Sequence, residues 1–167
     1  LASISFMVVL GISVAGSIRV GNAVGMKNIT ETRRAGFIAS FLGASLMFCA
    51  GLIFILFRNY LPTLYVSDEV VISYASSLLI IAALFQLSDG VQAVGIGILR
   101  GLTDVKIPTA ITFIAYWIVG LPVGYLLGFT LELGVQGVWI GLLLGLTTSA
   151  ILLTLRFNSR SKQIITF

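Results

Sequence analysis

The sequence predicts an all-α membrane protein of five transmembrane helices, and three observations predict it. The first is composition. Of 167 residues, 58% are hydrophobic and 10% charged, with a mean hydropathy of +1.11, whereas soluble domains carry about a quarter charged residues. Lipid is therefore the solvent for most of this surface. The second is a series of five charge-poor runs that reach or approach the ~20 residues needed to cross a bilayer. The third is a one-sided distribution of basic residues between those runs.

The runs are 1–18, 36–57, 70–99, 107–131 and 133–155. Runs this long and uniformly apolar are helices, because in lipid only helices and closed barrels satisfy the backbone. Barrel strands would be about ten residues long and would alternate. If all five runs cross, one side of the membrane receives Arg19, Lys27, Arg33, Arg34, Arg100, Lys106, Arg156, Arg160 and Lys162, and the other receives only Arg58. That asymmetry makes the first side cytoplasmic. It places the C-terminal tail from Arg156 in the cytoplasm and Leu1 at the outer face. The net charge of +4 is thus topology rather than a nucleic-acid patch.

The first run begins at Leu1, inside an apolar stretch and without a basic start or cleavage pattern. It reads as a piece of a longer protein, not a secretory signal. The join 19–34 holds Gly21, Asn22 and Gly25, which end helices, and Thr30 and Glu31, which start them. Asn28-Ile29-Thr30 matches a glycosylation sequon but falls on the cytoplasmic side. The second run contains the single cysteine, Cys49, which reads as a small packing residue. In the external join, Tyr60 and Tyr65 read as interfacial anchors. Ser67-Asp68-Glu69 reads as a cap with first-turn acids for the third helix.

The third run carries Asp89, the only charged residue within any run. A carboxylate at this depth costs roughly 2.5–3.5 kcal/mol on insertion scales. It is retained where a cavity, a partner or a cation compensates it. Gln86 and Gln92 lie one step of three before and after it, and three residues rotate a helix by about −60°. Together they form a polar arc of about 120° on an apolar helix. An acid satisfied by those two amides is the purely structural alternative.

The helix then ends near Gly101, and Pro108 suits the first turn of the next. Arg100 and Asp104 can pair across this turn. In the fourth run, Pro122 removes a helix hydrogen bond and predicts a fixed kink near 118–122. Glycines recur every fourth residue at Gly120, Gly124 and Gly128, and again at Gly137, Gly141 and Gly145 in the fifth run. Such ridges let helices approach closely in lipid, so these two helices should touch along them.

Enzyme chemistry finds no footing. There is no histidine. No carboxylate pair lies at membrane depth, and Gly95-Ile-Gly97 lacks the strand before it that a dinucleotide site requires.

Four stretches stand out: Ser17-Ile-Arg-Val-Gly-Asn-Ala-Val-Gly25, Phe85-Gln-Leu-Ser-Asp-Gly-Val-Gln92 running into Leu99-Arg-Gly-Leu-Thr-Asp104, Tyr116-Trp-Ile-Val-Gly-Leu-Pro-Val-Gly-Tyr125, and Gly134-Val-Gln-Gly-Val-Trp-Ile-Gly141. Together they resemble the multidrug and toxic compound extrusion (MATE) transporters, closest to the bacterial NorM-like branch. The resemblance covers essentially the whole chain. It implies helices eight to twelve of a twelve-helix transporter, most of the C-terminal six-helix lobe, with the N-terminal lobe as the missing partner. It also implies an inner-membrane antiporter that exports cationic amphipathic compounds in exchange for H+ or Na+, with no other cofactor.

On this resemblance Asp89 matches a carboxylate that helps bind the coupling cation, with Phe85, Gln86 and Gln92 beside it. Sodium-binding relatives can carry a tyrosine one turn before that acid. Phe85 offers only a cation–π face, so the coupling ion stays open, with Asp89 the candidate Na+ ligand. The alternatives are a flippase for lipid-linked oligosaccharide and a structural membrane subunit. The flippase would favour basic residues in its spans, and these spans have none. The structural subunit leaves Asp89 unexplained.

Overall fold

The computed structural model describes residues 2–163. Five helices long and apolar enough to cross a membrane account for nearly all of them: α1 (Ala2–Gly25), α2 (Ile29–Leu56), α3 (Glu69–Gly101), α4 (Lys106–Thr130) and α5 (Gly134–Arg160). A short 3₁₀ turn, Pro62–Leu64, lies in the join between α2 and α3.

The helices outrun the apolar stretches at several ends, because polar termini continue the backbone hydrogen bonds into the interface. Asn28 caps α2, its side chain accepting the Glu31 N–H at 3.1 Å. Asp68 caps α3 by accepting from the Val70 and Val71 N–H groups at 2.9 and 3.3 Å. The sequence reading of 67–69 as a cap therefore holds.

Gly21 and Asn22 do not stop α1, because Val20 and Ala23 are buried against the bundle, and Gly25 is its last residue. It ends in a Schellman arrangement: Asn28 N–H to Ala23 O at 3.1 Å and Lys27 N–H to Val24 O at 2.9 Å. Lys27, not a glycine, takes the left-handed φ of 52°. The end of α3 repeats the motif, with Asp104 N–H to Leu99 O at 3.0 Å, Thr103 N–H to Arg100 O at 2.9 Å, and Thr103 at φ 58°. Gly101 serves a different purpose there. A Cβ on it would lie 2.5 Å from Ser17 O, so it lets α1 approach α3.

α3 is the central helix. It packs against α1, α2 and α5, while α4 packs on α5. The back of α3 meets α2 through small residues: a Cβ on Gly51 would sit 2.9 Å from Ala83 O, and one on Gly90 would sit 2.6 Å from the Met47 side chain. The core beside this contact contains Met47, Val94, Ile98, Leu99, Leu153 and Phe157.

The two glycine ridges face each other as the spacing predicts. A Cβ on Gly141 would collide with the backbone of Gly124. One on Gly145 would lie 2.9 Å from Gly120 Cα, and one on Gly137 would lie 2.6 Å from Gly128 N. Backbone-to-backbone contact of this kind replaces the hydrophobic drive that helices lack inside lipid.

Around Pro122, where the sequence predicts a kink, α4 carries π-helical segments, Ala115–Gly120 and Leu126–Thr130, on either side of Leu121–Tyr125. The Leu121 N–H reaches back five residues to Tyr116 O. This widened turn absorbs the missing donor and the ring of Pro122.

The basic joins gather at one end of the bundle. Arg33 at the start of α2 donates to Asn158 Oδ1 near the end of α5 at 3.1 Å, and its guanidinium lies 5.6 Å from the centre of the Phe37 ring. Asp104 does not pair with Arg100. Its Oδ2 accepts from Arg156 Nε at 2.9 Å and lies 3.6 Å from Arg160 Nε. The Schellman turn buries Asp104 against the end of α5, while Arg100, still on the last turn of α3, is exposed.

Candidate cation site

Asp89 lies twelve residues before the end of α3, or about 18 Å along the helix, and so near the middle of a ~30 Å hydrocarbon core. It is half-buried, between the buried Gln86 and Gln92. Those two amides do not turn toward Asp89 as a closed cluster. Each reaches a different neighbouring helix. Gln86 donates through Nε2 to Ser5 Oγ of α1 at 2.7 Å. Gln92 accepts through Oε1 from the Tyr116 hydroxyl of α4 at 3.2 Å. With the two glutamines about 60° to either side of it, Asp89 faces the gap between α1 and α4. These helices are not packed on each other.

Among the described residues the ion pairs are those of Glu31 and Asp104, and none involves Asp89. The carboxylate is thus held at membrane depth without a basic partner, flanked by amides already oriented by other bonds. Tyr116 borders this arc through its bond to Gln92. The α4 π segment that begins at Ala115 carries this tyrosine, which gives the helical irregularity a place in the site. π segments recur at functional positions because the extra residue re-aims side chains.

Phe85, one turn before Asp89, is half-buried and directs its ring to α5. It meets Trp139 edge-on with centroids 6.2 Å apart. Ser88, next to Asp89, pairs with Thr147 of α5 at 2.9 Å. The sequence singles out Phe85, Gln86, Asp89 and Gln92 on α3, and the structure adds Tyr116 and Ser5 as bonding partners of the two glutamines. Their distance of 24 residues from Gln92 and 81 from Gln86 leaves no periodic signal. Only the motif 116–125, which begins at the tyrosine, marks its neighbourhood.

The oxygens available here are limited. Among the described residues no three acidic or cysteine side chains gather into a metal-ion cluster. Asp89 contributes its carboxylate. Gln86 retains its Oε1, and Gln92 has a second lone pair. Hard cations take about six oxygens. This set supplies part of such a shell, whereas a proton needs the carboxylate alone.

Comparison with known proteins agrees with this architecture. The family model described as MatE matches residues 1–126. The chain is 41% identical over 162 residues to "Probable multidrug resistance protein NorM" of Agrobacterium fabrum, covering 94% of this chain and 35% of that protein. It is 42% identical over 129 residues to "Multidrug resistance protein MdtK" of Proteus mirabilis, covering 77% of this chain and 28% of that protein. The chain therefore spans about a third of the length of the curated relatives it matches. The crystal structure of the eukaryotic MATE transporter AtDTX14 superposes with a TM-score of 0.87 at 26% identity, covering 98% of this chain and 38% of that one. An inward-facing multidrug resistance MATE transporter shares the fold with a TM-score of 0.85 at 20% identity, covering the same shares. By the family match and by the five-helix fold that carries Asp89 at its centre, this chain belongs to the MATE family.

Proposed function

We propose that this chain forms five helices of the C-terminal lobe of an inner-membrane antiporter. The whole protein exports cationic amphipathic compounds in exchange for H+ or Na+. The end that gathers Asp104, Arg156 and Arg33 faces the cytoplasm, as does the C-terminus. The sixth helix of the lobe and the N-terminal lobe complete the protein. The observation that carries this reading is Asp89: a mid-span carboxylate with no basic partner among the described residues, facing the gap between α1 and α4. An unpaired acid at this depth is costly unless it handles a cation, and the "multidrug resistance" names of the relatives supply the class of cargo.

The chemistry is competition for one charge. Ionised, Asp89 attracts a cation through the gap. Taking up a proton or a metal ion from outside neutralises it, loosens a bound cationic substrate and biases the lobes between inward- and outward-open states. Tyr116 and Ser5 hold the amides that border this charge, so a change of charge state is felt by α4 and α1 together.

The test is to express the full-length protein in a host lacking its own pumps, with Asp89 or Asp89→Asn. The reading predicts resistance to cationic drugs from the first and none from the second at equal membrane levels. Equal resistance from both would remove Asp89 from the mechanism.

A further inference from the structure

The basic end of the bundle carries more positive charge than its internal pairing uses. A cavity of about 540 Å³ lies where the α3–α4 turn meets the end of α5. Lys106, Arg156 and Arg160 line it, against the single carboxylate of Asp104. Both arginines approach Asp104 Oδ2 through Nε. That leaves the Nη groups of Arg156 without a partner among the described residues, while one Nη of Arg160 makes a 3.5 Å contact to Gln163. Lys106 is exposed and forms no ion pair among the described residues.

This cavity adjoins a second one, of about 340 Å³, and the two share Asp104 and Val105. The second runs between α3 and α4. Arg100 stands at its basic end, and Ile96, Pro108, Thr112 and Phe113 line the rest. From Val105 to Phe113 the path climbs eight residues of helix, or about 12 Å, close to the ~15 Å depth of one leaflet's hydrocarbon. A cationic recess at the interface therefore continues into an apolar groove of leaflet depth. An inorganic anion has no use for the groove, and a purely apolar molecule has no use for the recess.

We infer that Lys106, Arg156, Arg160 and the adjoining α3–α4 groove bind an anionic phospholipid of the cytoplasmic leaflet, with its phosphate in the recess and one acyl chain along Pro108–Phe113. Basic recesses between helices on the cytoplasmic side suit such headgroups. The Asp104 carboxylate orients the two arginines and leaves their outer N–H groups to the phosphate. The phosphate recess lies near the end of α3, and the groove stops about 10 Å short of Asp89; the inference rests on the cytoplasmic orientation proposed above, not on ion coupling at Asp89.

The test uses the full-length protein in phosphatidylcholine vesicles containing phosphatidylglycerol as the minor component. A trace of either lipid carries a photoreactive group on its acyl chain, and labelled peptides are mapped by mass spectrometry. The phosphatidylglycerol probe should label 105–113 several-fold more than the phosphatidylcholine probe. Lys106→Gln with Arg160→Gln, which keeps the Arg156–Asp104 pair, should cut that labelling by about fivefold for each cation removed. If the double variant does not fold, Lys106→Gln alone carries the test, since Lys106 is exposed. Equal labelling by the two probes would overturn the inference. So would labelling indifferent to the substitutions, or displacement of the probe by inorganic phosphate at constant ionic strength, which would mark a free-anion site.

Discussion

The Tyr116 hydroxyl donates to Gln92 Oε1 at 3.2 Å, which ties the π-helical stretch of α4 to the helix that carries Asp89. It is a side-chain link between the central helix and α4, which otherwise packs on α5.

Tyr116→Phe keeps the ring and removes that bond. A buried hydrogen bond contributes about 1 kcal/mol, and the loss leaves Gln92 free to turn. The apparent affinity for the coupling ion should weaken about fivefold, as RT ln of a fivefold ratio is about 1 kcal/mol, with little change in the amount of protein in the membrane. Ion titrations of drug efflux in proteoliposomes check this. An unchanged ion dependence would limit Tyr116 to packing.

The glycine ridges predict a sharp contrast between two substitutions of the same kind. Gly141→Ala would force a Cβ into the backbone of Gly124, and overpacking of this sort costs about 1–3 kcal/mol. Gly11→Ala meets nothing within 4 Å and should be neutral, or slightly stabilising through helix propensity. Thermal unfolding of the full-length protein in detergent separates the two, with a lower midpoint expected for Gly141→Ala alone.

At the cytoplasmic end, Asp104→Asn removes the carboxylate that joins the α3–α4 turn to Arg156 and Arg160. Arg156 remains 26% exposed, so water relieves part of the loss, and about 1–3 kcal/mol is expected, below the 3–5 of a fully buried pair. Arg100→Gln should cost almost nothing, because Arg100 is exposed and outside this pair. Equal destabilisation by both would contradict the pairing described above. The same midpoint measurement decides it.

Much of this architecture is legible in the sequence, because membrane solvation imposes coarse rules. Span number follows from run length. The facing of the glycine ridges follows from their fourfold spacing, and the cap at Asp68 follows from local chemistry. Partner choice is less accessible. Asp104 lies four residues from Arg100 in sequence, yet pairs with Arg156, because the left-handed Thr103 turns the chain and buries Asp104 against α5. Gln86 and Gln92 share an arc with Asp89, as their spacing requires, but their bonds go outward to Ser5 and Tyr116. No local pattern encodes how neighbouring helices are rotated. The end of α1 misleads in part for a related reason: Gly21 and Asn22 look like stops, yet burial of Val20 and Ala23 carries the helix on to Gly25, the third candidate, and Lys27 takes the left-handed φ.

The most direct measurement is ion-driven drug efflux by the full-length protein in proteoliposomes, comparing Asp89 with Asp89→Asn and Asp89→Glu. Removing an ion–carboxylate interaction worth more than about 1.4 kcal/mol should lower coupled efflux at least tenfold. Asp89→Asn should show that loss, and Asp89→Glu should retain part of the activity. Coupled efflux that survives Asp89→Asn undiminished, with the same ion dependence, would contradict the account.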